Sequence, residues 1–280
     1  MDGSRLRNYF IVLLLFVNAF MLVIVGAEQA ESISNGLAVE RDIREIYEKN
    51  GIVLEDISLS GGQKLYGYKL HRDIEKEQAV VGTILGADVK GEEESGNIMG
   101  YESPKGSALF RGTGDFEIII SGKVPSYTNL SPREQAEEIF KKLSPSSDDA
   151  LYTLEQYEDG SSFAEAVGSF KDMPLFNYKV VFDFTVDGRL DSVRGVRVFD
   201  TVSENQWEQS MDAETALIRF LEQTSHDERA FTKVLGLSQG FVMYSQVSGT
   251  SDIFPVWRIE TNAGDFFLNG LYGNLENGVR

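Results

Sequence analysis

Side chains able to do chemistry are plentiful in this sequence, but few are spaced for it. The two histidines, His71 and His226, lie far apart, and neither has a second histidine at the spacing of a metal-ligand pair. Both read as surface or strand-edge residues. Gly112-Thr113-Gly114 has glycines suited to a phosphate loop but lacks the lysine and the following helix, so it reads as a turn. Among 44 carboxylates a glycosidase-like pair has room to hide, yet this abundance singles out no pair. Glu92-Glu93-Glu94 reads as part of a solvated loop over Lys90 to Gly96. The absence of cysteine removes thiolate metal sites, cysteine nucleophiles and disulfides together. The expectation is therefore a non-enzyme with no catalytic residue, no metal site and no cofactor. Of the two tryptophans, Trp257 lies in an apolar strand and reads as core. Trp207 lies in the polar stretch Glu204 to Ser210 and is the better aromatic marker of a partner surface.

The residue with the clearest chemical demand is Asn18, the one amide in the charge-free run Tyr9 to Val25, which holds seventeen residues. With Gly26 and Ala27 the run extends about 26 to 28 Å as a helix, close to the hydrocarbon thickness of a bilayer. Inside lipid a lone amide is costly, and a neighbouring helix that pairs with it gains about 0.6–2 kcal/mol. The alternative is that local backbone bonding or a lipid defect tolerates it. Ile11, Leu14, Leu15, Met21 and Leu22 share the Asn18 face at three-to-four spacing, so these six residues form the expected membrane-helix contact. No pair of small residues sits on that stripe to support close GxxxG-type packing.

Arg5 and Arg7 precede the run, and Glu28 and Glu31 follow it, so the N-terminus is expected in the cytoplasm and the bulk of the chain outside the cell. The competing reading is a cleaved signal peptide, with Val25-Gly26-Ala27 loosely fitting the cleavage rule, although the apolar run exceeds a usual signal core. A lipoprotein anchor is excluded because there is no cysteine to carry the lipid. The formal charge of the 280 residues is −18, and Asp2, Arg5 and Arg7 give the first 27 residues +1, so the remainder carries −19. Nucleic acid is excluded as a partner on that account, and an anionic lipid surface would also repel the exterior part. An exported chain without cysteine fits a Gram-positive bacterium.

The expected elements follow from periodicity and punctuation. Gly36 to Asn50 reads as an amphipathic helix with Leu37, Ile43, Ile46 and Tyr47 near one face. Ile52 to Leu59 alternates and turns at Gly61-Gly62 into Lys64 to His71, a hairpin pattern. Ile74 to Leu85 has good helix formers alongside β-branched residues. Asn97 to Tyr101, Ser107 to Arg111 and Asp115 to Ser121 read as short strands, and Val124 to Leu130 as a linker. Ser131-Pro132-Arg133-Glu134 opens a helix with a capping box that buries Ala136, Ile139, Phe140 and Leu143. Four strands follow, with an Asp187-Gly188 turn between the last two, and Phe176, Tyr178, Val180, Phe182 and Phe184 alternate toward a core. Asp212 caps a further helix with Ala216, Leu217, Phe220 and Leu221 facing inward, and three strands close the chain.

This pattern predicts an α+β class: an N-terminal transmembrane helix, then antiparallel β-sheets each backed by helices. The expected domains are a cytoplasmic N-terminus (1–8), the transmembrane helix (9–27), and exterior α+β domains over 28–124 and 125–280.

Two stretches resemble one family. Met1-Asp2-Gly3-Ser4-Arg5 running into Phe16 to Leu22 is similar to the start of the YycI proteins, relatives of the YycH proteins. Pro255-Val256-Trp257-Arg258-Ile259-Glu260-Thr261 followed by Gly264 to Gly270 resembles their C-terminal strand pair. The resemblance implies a YycH/PepSY-like exterior and a membrane accessory role. It implies association with the sensor histidine kinase WalK (also YycG), with a YycH-like protein as a further partner, and modulation of a two-component system that controls cell-wall metabolism. The alternative is a PepSY-like exterior module that binds or inhibits a protease or wall component.

Overall fold

The computed structural model describes residues 37–55, 57, 59, 62–94, 96–122, 129–143, 151–196, 201–203, 209–225, 231–246, 249–276 and 279. The predicted span, with Ile11, Leu14, Leu15, Asn18, Met21 and Leu22, lies outside them, as do most of the predicted linker, Trp207 and His226. Among the described residues no helix is long and apolar enough to cross a membrane.

In chain order the elements begin with α1 (residues 37–49), β1 (Val53–Leu54), β2 (Tyr68–His71), α2 (Ile74–Leu85), β3 (Lys90–Glu94), β4 (Ile98–Ser103), β5 (Gly106–Phe110) and β6 (Asp115–Ile120). They continue through α3 (Pro132–Leu143), β7 (Leu151–Gln156), β8 (Ser162–Phe170), β9 (Met173–Phe184), β10 (Leu190–Val196) and β11 (Thr201–Ser203). The last four are α4 (Ala213–Thr224), β12 (Lys233–Ser245), β13 (Thr250–Thr261) and β14 (Gly264–Asn269).

Among the described residues fourteen strands hydrogen-bond into one connected sheet. One half is antiparallel, in the order β3-β4-β5-β6-β10-β9-β8-β7. The other is built on the long β12–β13 pair, with β2 and β14 sharing the far side of β13, β11 beyond β2, and β1 beside β12. Pairing runs across residue 124 where β6 meets β10 and β2 meets β13. The class is α+β, as expected, but the sheet is mixed: β1 and β9 each run parallel to β12.

The joint between the halves depends on a break in alternation. Leu175 pairs with Phe241, and two residues on the Asn177 carboxamide completes the contact with both backbone groups of Met243. Its Nδ2 donates to the Met243 carbonyl at 2.7 Å, and its Oδ1 accepts from the Met243 amide at 2.9 Å. A register shift here, with Val167 paired to Lys179 but Ser169 to Pro174, turns Phe176 onto the face opposite Leu175 and Tyr178, contrary to the simple alternation. Close approach demands glycine on both flanks. A Cβ on Gly168 would meet the Tyr178 ring at 2.0 Å, and one on Gly240 would meet the Phe176 ring at 2.4 Å.

The four helices among the described residues lie on one face of the sheet. Alternation along β13 sends Ile253, Trp257 and Ile259 toward the helices and Phe254 and Val256 the other way. α2 and α3 cover the first half with Val80, Val81, Ile84, Leu85, Ala136, Ile139, Phe140 and Leu143, all buried. α1 and α4 cover the β12–β14 end through Ile43, Tyr47, Ala216, Leu217 and Phe220. The two caps read from the sequence, at Ser131 and Asp212, form, and Asp73 caps α2 as well. Asp73 accepts from the Lys76 amide at 3.1 Å, and Asp212 from the Thr215 amide at 2.8 Å. Ser131 and Glu134 close the capping box, the Ser131 amide donating to Glu134 Oε2 at 2.8 Å.

Three expectations need correction. Residues 52–71 do not form a hairpin: β1 pairs with β12 and β2 with β13. The alternating Ile52, Ile57 and Leu59 instead pack in the core beneath α1 and α4. The Arg44 guanidinium donates to the carbonyls of Leu54, Glu55 and Ile57 at 3.0–3.1 Å, supplying partners that a hairpin ladder would otherwise give. Lys90 to Glu94 is a strand and not a loop, because pairing with β4 outweighs the poor strand propensity of its glutamates. Leu37 and Ile46 are exposed and not core, at 65% and 43%.

Candidate functional site

The first feature is a buried polar cluster around Arg72. Arg72, between β2 and α2, forms a bidentate ion pair with the fully buried Glu77 at 2.7 and 3.0 Å. Its remaining donors reach Asn97 on the β3–β4 turn and the Phe110 carbonyl, and its backbone amide bonds to Gly249 on the β12–β13 turn. Tyr101 donates to the same Glu77 carboxylate at 3.4 Å. Every side-chain donor of Arg72 is directed at protein, so the cluster ties α2 and the end of β5 to the β3–β4 and β12–β13 turns and leaves no open position for a ligand.

A second feature is the ribbon of β3 and β4. Asp88, Lys90, Glu92, Glu94 and Glu102 surround a broad solvent-open depression, and all five residues of β3 are exposed. Among the described residues β3 ends the sheet, pairing with β4 alone. Charged edges of this kind resist unwanted strand addition. Among the described residues no group of three or more His, Asp or Glu side chains is arranged to hold a metal ion.

The third feature is an apolar groove between α1 and α4, lined by Ile43, Ile46, Tyr47, Ile218, Leu221 and Glu222. The residue pattern builds it directly. Ala216, Leu217 and Phe220 fix the buried side of α4, which leaves Ile218 out of phase and 43% exposed. On α1, Ile43 and Tyr47 bury, Ile46 stands at the rim, and Val39 continues the same face at 43% exposure. The two helices are locked by the Tyr47 hydroxyl, which donates to the Leu217 carbonyl at 2.8 Å. Burial pushes that phenol well above its ordinary pKa, so it stays a neutral donor throughout the physiological range. Flanking charges pair within each helix: Glu40 with Arg44, Glu45 with Lys49, and Arg219 with Glu222. At about 280 Å³ the groove falls below the roughly 300–1,000 Å³ of small-molecule clefts. Chemically it offers an apolar seat with charged margins, suited to side chains projecting from another protein.

The sequence-derived sites fare unevenly. His71 lies exposed at the end of β2, its backbone paired with Thr201 and Thr250. Gly112 to Gly114 is a turn, with the Gly114 amide on the Arg111 carbonyl at 3.0 Å and a strand following. Trp257 is core at 2% exposure, and its indole donates to the Met211 carbonyl at 3.1 Å. The groove was not foreseen. Its signal was Ile218, an apolar residue out of step with the Ala216-Leu217-Phe220-Leu221 stripe.

Neither a family model nor a curated protein matches the chain. Two solved structures resemble it in shape. One is an uncharacterized protein from Eubacterium rectale ATCC 33656, with a TM-score of 0.49 and 10% identity over 81% of this chain and 90% of that one. The other is the C-terminal domain of Bacillus megaterium YpeB, with a TM-score of 0.36 and 10% identity over 77% of this chain and 97% of that one.

Proposed function

We propose that this chain is a single-pass membrane accessory protein, with its α+β part outside the cell, that modulates a WalK-like sensor histidine kinase controlling cell-wall metabolism. A YycH-like protein is its second membrane partner. The observation that carries this reading is the charge-free run Tyr9 to Val25, with Asn18 at its middle, basic residues before it and acidic residues after it. The resemblance of the first 22 residues and of Pro255 to Gly270 to the YycI proteins supplies the partner's identity. The energetic demand is small: a tenfold shift in a two-state kinase needs about 1.4 kcal/mol of differential contact. One interhelical amide bond in lipid, at about 0.6–2 kcal/mol, is of that size.

The test is photo-crosslinking from positions 11, 14, 18, 21 and 22 of the full chain in membranes that hold the kinase. Crosslinks to the kinase's spans are expected, with Asn18→Leu reducing co-purification and shifting kinase output. Unchanged output after the whole stripe is scrambled overturns the reading. A mature N-terminus at Glu28 would also overturn it and leave a released binding module.

A further inference from the structure

Building on that function, we infer that the α1–α4 groove receives an amphipathic helix from the membrane-proximal exterior part of the same kinase. The groove is apolar along its floor, at Ile43, Tyr47 and Leu221, and its two walls end in the half-exposed Ile46 and Ile218. From Ile46 the stripe continues along α1 to Val39, two turns away on the same face and 43% exposed. That end faces the chain's own leader. If Tyr9 to Val25 spans the bilayer, residues 28–36 reach at most about 30 Å, so Leu37 is held within that distance of the lipid surface. The groove lies about 14 Å further along the helix. A surface tethered within about 44 Å of the membrane meets the membrane-proximal exterior segment of whatever leaves the bilayer beside it.

The chemistry of the groove selects the occupant's shape. Its lining presents no strand edge or row of backbone groups, so an extended peptide would bury unsatisfied amides there. A helix satisfies its own backbone and presents apolar side chains at i, i+3 or i+4, and i+7, the pattern of helix-in-groove recognition. A second copy of this chain is the weaker occupant, because each exterior part carries a net −19 and like-charge repulsion opposes the pairing. Basic residues at the edges of the kinase helix would instead meet a complementary field.

The lack of cysteine makes the test clean, since Ile46→Cys and Ile218→Cys each place a single thiol in the full chain. Each variant is reconstituted in nanodiscs with a cysteine-free kinase that carries single cysteines along its membrane-proximal exterior segment. Disulfides that recur every three to four kinase positions are expected. The double variant Ile46→Glu/Ile218→Glu should bind the kinase about tenfold more weakly or worse, with an unchanged melting temperature because both side chains are half exposed. No periodic crosslinks together with unchanged binding overturns the inference, as do disulfides formed only between two copies of the chain. Parallel crosslinks from Leu14→Cys and Leu22→Cys, which keep the Asn18 amide, separate the two claims. If they persist while the groove gives none, only the groove assignment falls; if both vanish, the functional reading falls with it.

Discussion

Two helix pairs rest on the same face of one sheet, and they present opposite exteriors. On the α2–α3 side the inward residues are buried and the outward face of α3 is charged, with Arg133, Glu137, Glu138, Lys141 and Lys142 in solvent or in i,i+3 and i,i+4 pairs. Of the large apolar residues on that pair only Ile74, in the first turn of α2, is exposed. The α1–α4 side leaves Leu37, Val39, Ile46 and Ile218 half exposed or more. Folding accounts for the first pair, because every large apolar residue but Ile74 is covered. For the second it does not, since those four side chains contribute little to the core beneath them. Apolar surface that the core does not need is where partner contact is sought first.

The contrast has measurable consequences. The sharpest break should come on the α2 side with Glu77→Ala, which strands the Arg72 guanidinium in a buried site. A loss of about 3–5 kcal/mol in urea unfolding is expected. A loss under 1 kcal/mol would mean that the α2 side is no more tightly specified than the α1 side. Next, Asn177→Leu removes the amide that joins the halves, leaving the Met243 amide and carbonyl without that partner at about 1–3 kcal/mol each. Two separated unfolding transitions should then replace one, read by tryptophan fluorescence from Trp257 against far-UV circular dichroism. A single transition would show that the halves are coupled elsewhere.

A smaller effect belongs to the cap of α3. Ser131→Ala should cost about 1 kcal/mol. Hydrogen bonds from the Ser131 hydroxyl and amide hold the Glu134 carboxyl below its usual range. A carboxylate lowered in the fold stabilises above its unfolded pKa and loses that contribution as pH falls through the folded one. The gap between wild type and Ser131→Ala should therefore shrink from about pH 5 to pH 3 in thermal melts. Smallest of all, Ile46→Ser and Ile218→Ser should each stay within about 0.5 kcal/mol of wild type. A larger loss from either would show that the groove serves folding and not contact.

How much of this was legible depended on whether a residue's role was local. The caps at Ser131 and Asp212, the α3 core residues and the Asp187-Gly188 turn were readable because neighbours a few positions away satisfy them. The 52–71 hairpin failed because its partners lie nearly 200 residues downstream, and because Arg44, on a helix, satisfies its carbonyls. Lys90 to Glu94 looked like a loop because composition does not reveal that β4 lies alongside. The shift at Phe176 was hidden for the same reason: a bulge is set by the neighbouring strands, and only Gly168 and Gly240 mark it in the sequence. At the groove, the periodicity of α4 held the clue, in the single isoleucine that did not fit.

The acid-rich border strand β3 carries a last consequence. An exposed border of backbone groups invites copies of a chain to zip together. Three consecutive glutamates on that border make each copy repel the next. Replacing those acids with threonines should therefore speed fibril formation in concentrated solution.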